Sequence, residues 1–456
     1  MGHERAALLF FRKYDRGGTN LPMSTRWVAV DIFFLDDDWV LSNSACHIEI
    51  NLRKFPEVYL RCELGGLELG FAHSHPDGAL HFSEKDDENE RNILRGLGGC
   101  NLPDSPLISL VLCESQWIGR VRKADKPDEA ADVRHVTSLG DHVRVYHRQT
   151  GFKDEIRLRQ AAAFGKPFNE RLRSLRIAVI GVGGTGSPTA TLLARAGVGE
   201  LILIDGDDLE RSNLNRVRGY RNADVGKKKA KTLAAYINSL QVGCNSVAIN
   251  KFVEESPEAI DAISGCDFIF GCTDDVLGRE IINLASYYYA VPLVDTGLTG
   301  RILATKESAE LLDHRARISL IIPERSACLR CQRVVTDEKL KYADAVKRRP
   351  ELKGFSRDRL REEFYLIGGG EDAPGVGPFT SAAADFAVAS FMNALQPYRR
   401  LDTDLRADNV WVDFVHLLIH SNEPMDSETC FCCGPHGIKA GALETYRLHL
   451  PILGKL

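Results

Sequence analysis

Short apolar runs separated by polar turns fill the first third of the chain. Trp27 to Phe34, Pro106 to Cys113 and Gln116 to Val121 read as strands, and the polar stretch from Ser83 to about Leu97 reads as a helix. This pattern predicts a small α/β unit. The hydrophilic stretch Lys123-Ala124-Asp125-Lys126-Pro127-Asp128-Glu129 follows, then two weak strand signals up to Tyr146, which puts the domain boundary near residue 150. From Arg176 the rhythm changes to strand (RIAVIG), glycine-rich turn and helix (GGTGSPTATLLARAG), and strand again (ELILID). Further strands at Asp267 to Phe270 and Val291 to Asp295 alternate with helices, as a doubly wound, largely parallel sheet requires. The expected organisation is therefore α/β throughout, with one domain over residues 1–150 and a second over 151–456. Between Lys339 and Arg361, nine Lys and Arg face three Asp and Glu, and GGGEDAPGVG follows; this reads as a solvated helix and a flexible loop, or as a loop crossing a bound partner. No internal repeat is present.

Composition narrows the function classes. A chain of 456 residues exceeds one ordinary core and suits two or three domains. With 44% apolar and 27% charged residues it has the composition of a soluble globular protein, and a net charge of −5 gives no reason to expect nucleic-acid binding. The sequence offers no apolar run of the roughly 18 to 20 residues needed to span a bilayer and no secretory signal pattern at its start, so no membrane association and a cytoplasmic location are expected. Of twelve cysteines, four fall into two CxxC pairs and the others are scattered through apolar stretches, which favours metal ligation and buried thiols in a reducing compartment.

Two strings carry the chemistry. In His73-Ser74-His75-Pro76 the two histidines flank one residue, so on a strand both imidazoles leave the same face and can grip a metal. Asp86, eleven residues after His75 and opening a helical pattern, can return as a third ligand, leaving zinc one open position for a water activated near neutral pH. Ser83, one helical turn before Asp86, is placed to donate a hydrogen bond to a developing oxyanion. The set resembles the JAB/JAMM (Mov34/MPN) metalloproteases over roughly residues 1 to 122. The resemblance implies a catalytic Zn2+ and a glutamate general base opening an apolar strand; Glu4, ahead of RAALLFF, has that context, and Glu49 in CHIEI is the competitor.

The second string is Gly181-Val182-Gly183-Gly184-Thr185-Gly186-Ser187, a turn that lets backbone amides and a helix N-terminus approach phosphates. Gly181, Gly183 and Gly186 also satisfy the dinucleotide fingerprint, and Asp205 at the end of the next strand can bind a ribose, so taken alone the motif favours NAD or FAD. The downstream residues reverse that preference. Asp205-Gly206-Asp207, Asn213-Leu214-Asn215-Arg216, Gly226-Lys227-Lys228-Lys229 and Cys272-Thr273-Asp274-Asp275 form a series that hydride transfer does not need. Arg and Lys neutralise a triphosphate as pyrophosphate leaves, and Asp274 can hold Mg2+. The series is similar to the ThiF/MoeB/HesA ubiquitin-activating superfamily, from about Ile156 to Cys433. By that resemblance Asp205 binds the ribose of ATP, Asn213, Arg216 and Lys229 contact its phosphates, and Asp274 coordinates magnesium. Arg159 matches an arginine that reaches into a partner subunit's site, which implies a homodimer.

Cys328, Cys331, Cys430 and Cys433 supply four thiolates for a closed, structural zinc site that fastens the C-terminal segment to the adenylation core. Cys432 is left over. Residues 332 to 429 contain no cysteine, so a transferring thiol has only Cys432, Cys272, Cys244 or Cys266 to use, and activation is expected to stop at the acyl-adenylate. The joint expectation resembles fusions in bacterial ubiquitin-like systems. A zinc site trims or removes a ubiquitin-like or ThiS-like small protein, and a second domain adenylates its terminal glycine with MgATP for a conjugating enzyme or a sulfur donor, in phage defence or in biosynthesis. The alternatives are activation of a peptide or small carboxylate, and a modifier-binding scaffold with an inactive protease domain.

Overall fold

The computed structural model describes residues 2–16, 24–45, 47–76, 78–114, 116–147, 151, 154–304, 308–354, 375–400, 408–425 and 427–438. They divide into two compact units, one formed by residues 1–15, 25–138 and 144–153, the other by the rest of the chain.

In the first unit, strands β1 (Ala6–Arg16), β2 (Ser24–Phe34), β5 (Glu68–Ser74), β6 (Pro106–Cys113), β7 (Gln116–Lys123) and β8 (Lys126–Asp132) make one sheet in the order β2-β1-β5-β6-β7-β8. Two small ladders, β3 (Val40–Asn43) with β4 (Ile48–Ile50) and β9 (His135–Ser138) with β10 (Arg144–His147), stand beside it. Helices α1 (Phe55–Gly65) and α2 (Glu84–Cys100) bury Phe55, Val58, Ile93, Leu94 and Leu97 against Leu8, Phe10, Leu69 and Phe71 of one sheet face. Leu9, Phe11, Ala72, Ile108 and Leu110 form a second core on the other face. Central β5 is therefore apolar on both sides, which is why its sequence reads as a run and not as an alternation. Within the hydrophilic stretch, residues 126–132 form edge strand β8, almost wholly exposed. Its side chains have little to cover, and charged edges resist further strand pairing.

The second unit begins with α3 (Leu158–Phe164) and α4 (Lys166–Ser174). Its sheet contains β11 (Arg176–Ile180), β12 (Glu200–Ile204), β13 (Asn245–Ile249), β14 (Phe268–Gly271), β15 (Leu293–Ala304), β16 (Ala309–Ile321), β17 (Asn409–Asp413) and β18 (Leu418–Asn422). The order is β13-β12-β11-β14-β15-β16-β17-β18, parallel from β13 to β15 and antiparallel beyond. Helices α5 (Gly186–Ala196), α6 (Lys229–Ser239), α7 (Pro257–Ser264), α8 (Val276–Tyr289) and α9 (Asp337–Arg348) and a helix over Gly377–Leu395 complete it. The doubly wound half matches the expectation, with strand order reversing between β11 and β14. The antiparallel half does not: the expected strand at Val291 to Asp295 runs on to Ala304 and pairs with β16 along its length. Of the basic stretch, residues 339–348 lie on α9, which buries no residue, and most of GGGEDAPGVG falls outside the described residues.

Candidate functional site

In the first unit, β1 runs antiparallel to β5 with Ala6 opposite His73, and the ladder extends past Ala6 because Ser74 N donates to Arg5 O. That register carries Glu4 to the end of β5, and its own amide donates to Ser44 O. His75 stays beside β6 through a bond from its amide to Leu112 O, 2.8 Å. Glu4, His73, His75 and Asp86 are all at least 95% buried. His73 Nε2 lies 3.0 Å from His75 Nε2 and 2.9 Å from Asp86 Oδ1; His75 Nε2 lies 3.6 Å from Asp86 Oδ2 and 3.8 Å from Glu4 Oε1. Two imidazoles and two carboxylates thus converge on one point, and Glu4, His73 and His75 each offer a ligand atom within 4.8 Å of the others. The His75 Nδ1 contact with Ala79 O at 2.8 Å turns Nε2 toward that point, the usual way a backbone carbonyl orients a metal-binding histidine. Burial alone would raise the Asp86 carboxyl, but its hydrogen bond and charge interaction with His73 and the bonds from Ser83 hold it down at about 2. Glu49 is exposed and accepts from Ser42 Oγ, so it is Glu4 that the fold brings to the histidines.

Ser83 departs from its expected role. It is the N-cap of α2 in a reciprocal capping box: its Oγ accepts from Asp86 N at 3.2 Å and donates to Asp86 Oδ2 at 2.8 Å, while its amide donates to the same oxygen. A hydroxyl has one proton, and here that proton is directed at Asp86 and not toward an oxyanion. A buried ion-pair tetrad that no sequence motif announces fixes the same turn. Arg120 and Arg122 of β7 both reach Asp87 and Glu90, with N to O distances of 2.6 to 2.9 Å. The signal available was two arginines at i, i+2 on a strand, ordinarily a solvated face.

In the second unit the glycine string joins β11 to α5 at the strand-order reversal. Gly181 has φ +80°, and a Cβ there would sit 2.9 Å from Cys272 O; a Cβ on Gly186 would sit 1.8 Å from Gly181 O. These two glycines are required by packing. Gly184 faces the Arg216 stem, and around Gly183 nothing lies within 4 Å, so packing does not require a glycine there. Asp205 directly follows β12 and is 8% exposed; its Oδ2 accepts from Val182 N and its Oδ1 from Asp207 N, both at 2.8 Å. Burial pushes its carboxyl above the ordinary range against those two bonds. Lys229 opens α6 and pairs with Asp207 Oδ2 at 2.8 Å, and Tyr220, absent from the expected set, donates to Val182 O or Lys229 O beneath them. Asn213 is buried and accepts from Glu210 N, while Arg216 is half-buried and donates to Ser212 O and Asn215 Oδ1. Asp274 is exposed beyond the end of β14, and Asp275 beside it caps α8. Arg159 is exposed on α3; the inward arginine is Arg157, whose guanidinium donates to Ala194 O, Arg195 O and Val242 O and so satisfies the end of α5.

Cys328, Cys331, Cys430 and Cys433 gather with all four sulfurs within 4.8 Å of one another, and Cys328–Cys430 and Cys331–Cys433 are 3.6 and 3.5 Å apart. Sulfurs on a zinc tetrahedron stand about 3.8 Å apart at ~2.3 Å per Zn–S bond, so the donor set and its spacing fit zinc. Between the pairs, Arg330 lies over the Phe431 ring and binds Glu280 and Asp337, and Asn283 of α8 accepts from Leu329 N and donates to Cys432 Sγ. Cys432 and Cys266 are fully buried, and burial pushes the Cys244 and Cys272 thiols up to about 12.

Over 124 residues the chain is 35% identical to the SAMP-activating enzyme E1 of Haloferax volcanii, covering 27% of this chain and 46% of that protein. Over 190 residues it is 37% identical to the adenylyltransferase and sulfurtransferase uba4 of Aspergillus terreus, covering 40% and 39%. The chain thus spans less than half the length of these relatives. Among solved structures, E. coli MccB with ATP is 18% identical with a TM-score of 0.46, over 63% of this chain and 76% of that one. The ThiF family model matches residues 157–416, from the arginine that closes α5 to the turn between β17 and β18, and by that match the chain belongs to the ThiF family.

Proposed function

We propose that the second unit adenylates the C-terminal carboxylate of a ubiquitin-like or ThiS-like small protein at the expense of MgATP. The observation that carries this reading is the gathering of Gly183, Asp205, Lys229, Arg216 and Asp274 along the carboxyl edge of β11, β12 and β14, inside the family match. A carboxylate oxygen forms a bond to the α-phosphorus of ATP as the bond from that phosphorus to the bridging oxygen breaks, and pyrophosphate leaves with the electron pair. Asp205 accepts from the ribose hydroxyls through lone pairs its two backbone donors leave open. Lys229, already held at the site by Asp207, and Arg216 offset the charge growing on pyrophosphate. Asp274 is the residue open to magnesium, which supplies further neutralisation of the phosphates.

The first unit, on this proposal, is a JAB/JAMM-type peptidase that trims or removes the same small protein. His73, His75 and Asp86 would hold the ion, and two buried imidazoles beside a carboxylate are a donor set suited to it. Zinc there supplies Lewis-acid activation of water. Glu4, buried and 3.8 Å from His75 Nε2, takes the proton that the attacking water gives up. Ser83 holds Asp86 in its ligating orientation. The four-cysteine cluster is a structural zinc site, the protein acts as a homodimer to which Arg159 contributes, and activation ends at the adenylate because the cysteines outside that cluster, among the described residues of the second unit, are buried or weakly acidic.

The test uses purified chain, labelled pyrophosphate and a small β-grasp protein ending in glycine. Label should enter ATP only with that protein and magnesium present, and Asp274→Ala should abolish exchange with the fold retained. Exchange unaffected by the substitution would defeat the assignment.

A further inference from the structure

In the second unit, two glycines far apart in sequence are crowded by the same side chain. A methyl on Gly184 of the nucleotide loop would stand 3.1 Å from Cδ and 3.2 Å from Cγ of Arg216, with the Thr380 methyl next at 3.3 Å. One on Gly375 would stand 2.9 Å from Cδ and 3.1 Å from Nε of Arg216, whose Cζ at 3.9 Å is the next atom. Neither glycine has a left-handed φ, so the backbone at both positions would accept alanine, and the Arg216 stem is the nearest obstacle at each. Gly375, Val376 and Gly377 are the last residues of GGGEDAPGVG and lead into the helix over Gly377–Leu395. At Gly377 a methyl would meet backbone instead, Asn215 O at 2.8 Å. The backbone around Arg216 is also fastened to the nucleotide loop. Arg218 N donates to Ser187 Oγ, which donates to Gly183 O, and Tyr220 donates to Val182 O or Lys229 O. What remains to be set is the Arg216 side chain. Its Nη1 donates to two uncharged groups, Ser212 O and Asn215 Oδ1, and among the described residues no carboxylate pairs with it.

We propose that Gly184 and Gly375 form a slot that fixes the Arg216 side chain where it meets the triphosphate, which makes Gly375 a positioning residue for adenylation. This rests on the adenylation reading, in which Arg216 contacts phosphate. A long, flexible arginine stem samples several rotamers when free, and ordering it on binding subtracts from affinity; a stem already confined has less to lose. The slot works only while both walls lack a side chain. Carbon atoms in good contact stand about 3.5–4.0 Å apart, so a methyl at 2.9 Å would push the stem aside by about 0.5–1 Å, and the guanidinium at its end with it. The atoms that have to move belong to one half-buried side chain, so the displacement leaves the fold intact. Gly377 differs in this respect, because its obstacle is a carbonyl that cannot rotate away.

The test is calorimetry on the full chain with Mg2+, comparing a non-hydrolysable ATP analogue with AMP, so that the ratio of the two affinities isolates the β- and γ-phosphates. Arg216→Ala should lower the ratio about tenfold or more, the scale of a lost hydrogen bond to a charged group. Gly375→Ala should lower it by a similar factor, with AMP affinity and thermal unfolding as in the unaltered chain. The double variant should match Arg216→Ala alone, because a methyl has nothing to displace once the stem is gone. An unchanged ratio in Gly375→Ala or in Arg216→Ala, or losses that multiply in the double variant, would overturn the slot. If Gly375→Ala did not fold, the double variant would decide: a folded double variant locates the clash at Arg216, and an unfolded one shows that something else requires the glycine and overturns the proposal. Failure of the unaltered chain to bind the ATP analogue would defeat the adenylation reading and the slot with it, whereas equal binding by the unaltered chain and Gly375→Ala defeats the slot alone.

Discussion

Glu90→Gln is a sharp test of how α2 is held. Glu90 is fully buried and receives Arg120 and Arg122, whose side chains are 10% and 5% exposed, while Asp87 completes a tetrad of zero net charge. Each guanidinium attracts the Glu90 carboxylate by about 4 kcal/mol at ~4 Å and an effective dielectric near 20. The substitution removes two such attractions and recovers only the several kcal/mol that desolvating one carboxylate costs, leaving one positive charge uncompensated in the interior; the net expected loss is about 3–5 kcal/mol. With a slope of roughly 2 kcal/mol per molar, the urea midpoint of the first unit should fall by about 2 M. Tryptophan fluorescence reports this unit selectively, because Trp27, Trp39 and Trp117 belong to it and Trp411 to the other. Replacing the three most buried partners together, Glu90→Leu with Arg120→Met and Arg122→Leu, should recover most of the loss, since well-packed apolar side chains replace buried ion pairs at little cost. Asp87, 29% exposed, is then hydrated. A midpoint change under about 0.5 M for Glu90→Gln, or a triple variant as unstable as the single, would refute the reasoning.

Glu4→Gln should keep zinc, measured by metal analysis, and lose cleavage of a modifier fusion by about 100-fold or more, whereas exposed Glu49→Gln should match wild type. Gly186→Ala would place a methyl 1.8 Å from Gly181 O, so binding of ATP followed by calorimetry should be lost even where circular dichroism shows a folded chain. Because burial raises the Asp205 carboxyl in the folded state, ionising it weakens folding as pH climbs from the ordinary carboxyl range through the higher folded value. Asp205→Asn should flatten that part of the stability profile, yet weaken ATP binding, since an amide oxygen accepts while its NH2 faces the second of the amides of Val182 and Asp207. Cys331→Ser should release one zinc per chain and lower thermal stability of the second unit, because structural zinc contributes to folding free energy directly.

The sequence by itself determined the local events. Strand, glycine turn and helix from Arg176 onward follow from residue types in immediate succession, and Gly181 and Gly186 answer clashes with neighbours in the turn and with the adjoining loop after β14. The HxH spacing already put two imidazoles on one face of a strand, and CxxC already put two thiols within reach of one ion. Charge balance across long separations was decided only by tertiary structure. Whether Glu4 or Glu49 reaches the histidines depended on the register of β1 against β5. That Lys126 to Asp132 form a strand was decided by β7 offering a free edge, since an edge strand needs no apolar signature. That Arg157 turns inward to close α5 while Arg159 stands exposed on α3 was decided by what packs against this segment. Arg120 and Arg122, and likewise Arg317 with its partner Asp295, look in sequence like ordinary solvated charges; a charge acquires its energy from the dielectric and the partners around it, and those exist only once distant segments have folded together.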